Sequence, residues 1–413
     1  MLTPRTALLL IAFLLIFVPW VCRRSAVVRR MVPLAVIQIL GGVLLGPSGL
    51  GSIAPGVYAA LFPAPVLAAI NGLAVVGVLL FVFVSGLHLD GERLRDGMRR
   101  LAGPAAGSIG LPLILGLGSG FWIAWTVPSA IGPNGGVTTT AVAIAICVAV
   151  TALPVLAAIL REMEMIGGRL GQTALALAAI NDAALWLMLA VLLALSRGSA
   201  GDAMLVLALS AVWLATMLVV VRPALGWMAG RGAREGTMLV AALSVAFASA
   251  TVADSFGLGY LIGGFVAGAV MPTRSREALL GRLEPLTATA LLPFFFVATG
   301  LKALIAPGSL VFLGMFVLLS LATIIGKVLG TAVPARRGGE TWPSALALGA
   351  LMQTKGLMEV VVLAVLLDGE LIGRSVFSAL VAMAMLCTVL TAPMVRWVLG
   401  PHWVADAAAE AGR

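Results

Sequence analysis

Residues 176–195 read ALAAINDAALWLMLAVLLAL. Only Asn181 and Asp182 interrupt this apolar run. About twenty such residues, rising about 1.5 Å each in a helix, cover the roughly 30 Å hydrocarbon core of a bilayer. Asp182 lies about twelve residues into the stretch 170–196, roughly 18 Å along it and near the midplane. An ionisable group there costs several kcal/mol on insertion scales, so it is paired or functional. This run decides the fold class: a membrane helix built around a carboxylate.

The rest of the chain agrees. Of 413 residues, 61% are hydrophobic and only 10% are charged, where a soluble protein carries about 25% charged residues. The mean hydropathy is +1.13. Long helices apolar on every side belong in a bilayer. A transmembrane barrel would show alternating strands of about ten residues, and none can be read. Cys22, Cys147 and Cys387 stand in separate apolar runs, which suggests neither a disulfide framework nor a metal site. His88 and His402 fall at segment ends, so no histidine cluster or triad is available. LGPSGLG (residues 45–51) lacks the lysine of a phosphate loop. No resident cofactor, enzyme chemistry or nucleic-acid partner is expected. The first apolar run, Ala7 to Cys22, lacks a small-x-small cleavage site and is read as a retained helix.

Thirteen apolar stretches have spanning length: 5–22, 31–48, 66–88, 101–126, 137–161, 170–196, 202–221, 237–253, 257–272, 285–304, 308–333, 342–366 and 374–399. The ninth is short, and leaving it out gives twelve. Val57–Phe62 reads as part of a loop, and LDGERLRDGMRR (89–100) as a solvated one. Basic residues fall almost wholly after the odd-numbered stretches: Arg23, Arg24, Arg29 and Arg30; Arg93, Arg95, Arg99 and Arg100; Arg161 and Arg169; Arg222, Arg231 and Arg234; Arg274, Arg276 and Arg282; Arg336 and Arg337; and Arg396. The other loops hold Arg197, Lys302 and Arg374. Positive charge marks the cytoplasmic side, so the N-terminus is expected outside and the C-terminus inside. This placement also accounts for the net charge of +9 without nucleic acid. Residues 1–400 are expected to form a single transmembrane unit, with a short cytoplasmic tail at 401–413.

An internal repeat shows faintly. GGVLLG (41–46) in the second stretch and GGFVAG (263–268) in the ninth share a Gly-Gly-x-x-x-Gly pattern and run in opposite directions across the membrane. That arrangement suits inverted five-helix repeats, stretches two to six and nine to thirteen. Plain helix packing would explain the glycines as well. Fourth in each half come AVTALPVLAAIL (149–160) and LMQTKGLMEVVVL (351–363). Proline removes a backbone donor, and glycine weakens a helix by about 1 kcal/mol. Thr151–Pro154 and Thr354–Lys355–Gly356 are therefore expected breaks near mid-membrane. Two broken helices at matching positions point to an ion site, because freed carbonyls and half-helix ends meet there. A simple proline kink is the bland alternative.

Few ionisable residues lie deep. Lys327 sits in LATIIGKVLGTAV (321–333), and Lys355 and Glu359 sit one turn apart in the twelfth stretch. Of 26 basic residues only three are lysines, and two of those are intramembrane. An ammonium can lose its proton on desolvation, whereas a guanidinium cannot. Asp182 can hold a proton or a metal ion in turn, which is the core of antiport. Asn181 and Thr151 can add neutral oxygens. Lys327 can pair with Asp182 when the site is empty; a salt bridge that only holds packing, or snorkelling toward the surface, is the alternative. Lys355 and Glu359 can neutralise each other as an i,i+4 pair.

Taken together, TALPVLAAILREMEMIGGRLGQTALALAAINDAALWLMLA (151–190), LLPFFFVATGLK (291–302), GKVLGT (326–331), LMQTKGLMEVVVL and GGVLLGPSGLG (41–51) resemble the Kef-like monovalent cation:proton antiporters, with plant cation/H+ exchangers and their bacterial relatives nearest in pattern. The resemblance covers nearly the whole chain. It implies an all-α polytopic sodium/proton antiporter fold with two crossing broken helices. The core domain would include 137–196 and 308–366. A dimerisation domain would be built from 31–48, 202–221 and 257–272. Asp182 would bind the transported K+ or Na+ and the proton. Asn181 falls where other members carry a second Asp or a Gln, and Asn-Asp is common in electroneutral relatives. Lys327 falls where electrogenic members carry a lysine. Thr151 and Lys355–Gly356 would stand at the crossing, with Pro154, Thr354 and Glu359 beside them. Kef proteins add a nucleotide-binding domain and plant exchangers a long tail, and regulation by those routes is not expected here.

The expected function is alternating-access exchange of cytoplasmic K+ or Na+ for external protons. The protein would act as a homodimer in the cell membrane, a bacterial inner membrane. A sodium-coupled symporter on the same fold, a cation channel and a non-transporting sensor are the alternatives.

Overall fold

The computed structural model describes residues 3–24, 34–88, 91–165, 168–196, 200–303 and 309–411. Arg29, Arg30 and Arg197 lie outside them. Among the described residues every regular element is helical, with one isolated antiparallel bridge between Ile131 and Ile372. Ten helices are long and apolar enough to cross a membrane, and three shorter apolar ones are Val137–Ala149, Tyr260–Ala269 and Trp342–Met352. Each apolar stretch read from the sequence overlaps one of these helices. Apolar side chains such as Leu9, Val219, Trp227 and Leu310 stand exposed on them, as lipid-facing surfaces require.

Two local expectations change. Val57–Phe62 is not loop: Pro55 starts a short helix, Pro55–Leu61, since a first-turn proline gives up no helical hydrogen bond. Residues 91–100 are helical and continue into one helix, Gly91–Thr126. Charged residues do not by themselves end a helix. Beyond a non-helical Gly400 (φ 72°), residues up to Ala411 are helical too.

Contacts between helices divide the chain into two compact units. The first holds residues 1–16, 59–91 and 186–298. Its helices Ala64–Leu87 and Tyr260–Ala269 touch backbone to backbone. A Cβ on Gly86 would lie 2.2 Å from the Phe265 carbonyl oxygen, and one on Gly268 would lie 2.0 Å from that of Phe83. The GGFVAG glycines thus serve close packing. Two widened turns, Met217–Val221 and Thr287–Leu291, lie just ahead of Pro223 and Pro293. Such turns absorb the hydrogen bond a proline cannot make.

The second unit holds residues 17–58, 92–185 and 299–413. Residues 34–48, which the resemblance assigns to a dimerisation domain, fall in this unit. A Cβ on Gly300 would lie 2.5 Å from the Ile39 carbonyl oxygen, so the two backbones touch. Within this unit Arg23 pairs with Glu162 and Arg169 with Glu340. Lys302 pairs with Asp368, and Asn134 donates to Glu370.

Candidate ion-binding site

Both breaks are present, and both lie in the second unit. The helix Val137–Ala149 stops, residues 150–152 are extended or irregular, and Leu153–Glu162 resumes. Pro154 is in the first turn of that second half-helix. There its missing N–H is harmless, and the residue before it is biased away from helix. The other helix stops at Met352, crosses residues 353–356, and resumes as Leu357–Asp368. Gly356 has φ +151°, which side chains rarely tolerate.

The two breaks cross and satisfy each other. The Ala152 N–H donates to the Thr354 carbonyl (3.0 Å), and the Thr151 hydroxyl donates to the Met352 carbonyl (2.6 Å). In hydrocarbon every backbone group needs such a partner, and unwound chain survives only where protein supplies it. Lys355 reaches across the same crossing. Its ammonium donates to the carbonyls of Cys147 and Val148 at the end of the first half-helix. A cation is well placed there, because the last carbonyls carry the negative end of the helix dipole. Glu359 lies in the first turn of Leu357–Asp368, at a positive helix end. The Thr388 hydroxyl holds the Lys355 carbonyl (2.8 Å), and the Thr354 hydroxyl returns to the Leu351 carbonyl (2.6 Å).

Beside the crossing stands the helix Arg169–Leu195 with Asn181 and Asp182, each 2% exposed. Lys327, fully buried on Leu310–Arg337, donates to Thr151 Oγ1 (2.8 Å) and to Asn181 Oδ1 (2.8 Å). The ammonium thus bonds two neutral oxygens flanking the carboxylate, and the charges of Asp182, Lys355 and Glu359 all act on it. Asn181 and Asp182 are consecutive. They project about 100° apart around the helix, and the helix turns Asn181 toward the lysine.

Ser108 escaped the sequence reading. It is buried on Gly91–Thr126 and accepts a hydrogen bond from Asn181 Nδ2 (3.0 Å), while Nδ2 also reaches the Leu177 carbonyl (3.0 Å). With both amide protons engaged, Oδ1 is the atom left to face Lys327. A single serine among glycines and prolines carried no signal of this.

The residues brought together are therefore Thr151, Asn181, Asp182 and Lys327, with Thr354, Lys355 and Glu359 at the adjoining crossing. A hydroxyl, an amide oxygen and a carboxylate are the donor types a hard monovalent cation takes. An ammonium now occupies two of the three.

The chain matches the family described as "Sodium/hydrogen exchanger, transmembrane" over residues 10–399. It belongs to that family. Among its relatives, Cation/H(+) antiporter 18 of Arabidopsis thaliana is 32% identical over 382 residues, covering 89% of this chain and 46% of that protein. The chain thus spans about half the length of the plant relatives it matches. Na(+)/H(+) antiporter NhaS4 of Synechocystis is 29% identical, covering 89% of this chain and 91% of that protein. The fold is that of the sodium proton antiporter MjNhaP1 from Methanocaldococcus jannaschii, with a TM-score of 0.58 at 12% identity and full coverage of both chains.

Proposed function

We propose that this chain exchanges a monovalent cation, K+ or Na+, for protons by alternating access. The observation that carries the reading is a fully buried lysine bonded to Thr151 and Asn181 beside a buried carboxylate, at the crossing of two broken helices. In the cation-free state Lys327 takes the place of the ion. An entering cation takes the Thr151 and Asn181 oxygens and the Asp182 carboxylate, and the ammonium withdraws. A proton on Asp182 abolishes the charge that holds the cation, so the two substrates exclude each other. Relatives bearing cation/H+ and Na+/H+ antiporter names support the same exchange.

The site-bearing unit would move as a rigid body against a dimeric scaffold in a cell membrane, with the arginine-rich loops in the cytoplasm. The test is a proteoliposome with an imposed pH gradient. Added Na+ or K+ is expected to dissipate the gradient, and Asp182→Asn to abolish the response. Full response by that variant would refute the assignment, and no response to either cation by the parent would refute antiport.

A further inference from the structure

Glu359 is a deeply placed carboxyl group that the exchange just described leaves unused. It is wholly buried, and among the described residues neither of its oxygens has a hydrogen-bond partner. The Lys355 ammonium is 3.5 Å away, at ion-pair distance, while its hydrogen bonds go to the Cys147 and Val148 carbonyls. Burial without hydrogen bonds disfavours the carboxylate, and the neighbouring ammonium favours it. The group thus stands where a change in nearby charge can tip it between its two forms.

The groups facing Glu359 define what its proton could do. They are Lys355 before its own helix, Lys327 on Leu310–Arg337, Cys147 on Val137–Ala149 and Cys387 on Arg374–Ala411. Lys327 feels both Glu359 and Asp182, so it links the two carboxyl groups electrostatically. With Asp182 ionised, both lysines charged and Glu359 neutral, the cluster carries one excess positive charge, and an arriving cation makes it two in a medium of low dielectric, where each added like charge is strongly unfavourable. Ionisation of Glu359 at that moment returns the excess to one.

We propose that Glu359 is a second proton-carrying group of this protein. It holds a proton while Lys327 occupies the site and releases it as a cation joins Asp182. The O–H bond breaks heterolytically, the proton passes to water on the open side, and the carboxylate left behind faces Lys355. This rests on the antiport reading above.

The experiment counts protons released per cation bound when NaCl or KCl is added to the purified full chain in weak buffer. Glu359→Gln is expected to release fewer protons per cation than the parent. Its plot of log apparent affinity against pH should be shallower by up to one proton. An unchanged count and slope would overturn the proposal while leaving antiport intact. No cation-linked release from the parent would overturn both. A merely structural role would lower the melting temperature without changing the count. Should the glutamine variant not fold, Glu359→Asp keeps the carboxyl group. A protonated-carboxyl band in its cation-induced infrared difference spectrum is then expected to move from the parent position, and a spectrum with no moved band would overturn the proposal.

Discussion

Replacing Lys327 by methionine tests whether the lysine stands in for the ion. The side chains are similar in volume, so the buried space stays filled while the charge goes. Two hydrogen bonds of 2.8 Å vanish, each about 1.5–3 kcal/mol when one partner is charged. Thr151 keeps its bond to Met352 and Asn181 keeps Ser108 and Leu177, so the walls of the site stay in place. Desolvation of the buried ammonium offsets most of the loss. A net advantage to the lysine over an empty site of about 1–2 kcal/mol corresponds to a factor of about 5–30. Lys327→Met is therefore expected to bind Na+ or K+ about 5–30 times more tightly at alkaline pH, where Asp182 is ionised. Calorimetric titration of the purified protein measures it. Unchanged or weaker binding, in a variant that still melts cooperatively, would refute competition between lysine and cation.

Other perturbations follow from the same geometry. Asn181→Asp puts a second carboxylate at the position 2.8 Å from the Lys327 ammonium. Transport by this variant is expected to respond more strongly to an imposed membrane potential than the parent's, and an equal response in proteoliposomes would contradict it. Gly356→Ala forces a side chain into φ +151° with its Cβ 2.7 Å from Val155 Cγ2. Such backbone strain costs about 1–3 kcal/mol, so a lower melting temperature in detergent is expected, and an unshifted one would count against strain.

The depth of Asp182 and the presence of both breaks could be read locally, because hydrophobic run length, Pro154 and Gly356 are local signals. The extent of each break could not. Residues 150–152 leave the helix ahead of Pro154 because Thr151 and Ala152 are held by Met352 and Thr354, far away in sequence. That Lys327 bonds Asn181 depends on how one helix is rotated against another, which no spacing rule states. Ser108 was invisible for the same reason. Reading residues 91–100 as loop failed where charge pattern was taken to end a helix.

The bonds between the breaks also have a consequence for synthesis. Thr151 and its acceptor Met352 are 201 residues apart. At about 5–20 residues per second, a ribosome takes roughly 10–40 s to make the intervening chain. During that time the first break has no Thr354 carbonyl to receive the Ala152 N–H, and hydrocarbon offers no substitute. The first half must therefore enter the bilayer with this segment either still continuously helical or sheltered by water or the insertion machinery. It is remodelled only when its counterpart arrives. The site is thus one of the last parts of the chain to form, and a truncation before residue 352 would leave a half that inserts without ever acquiring it.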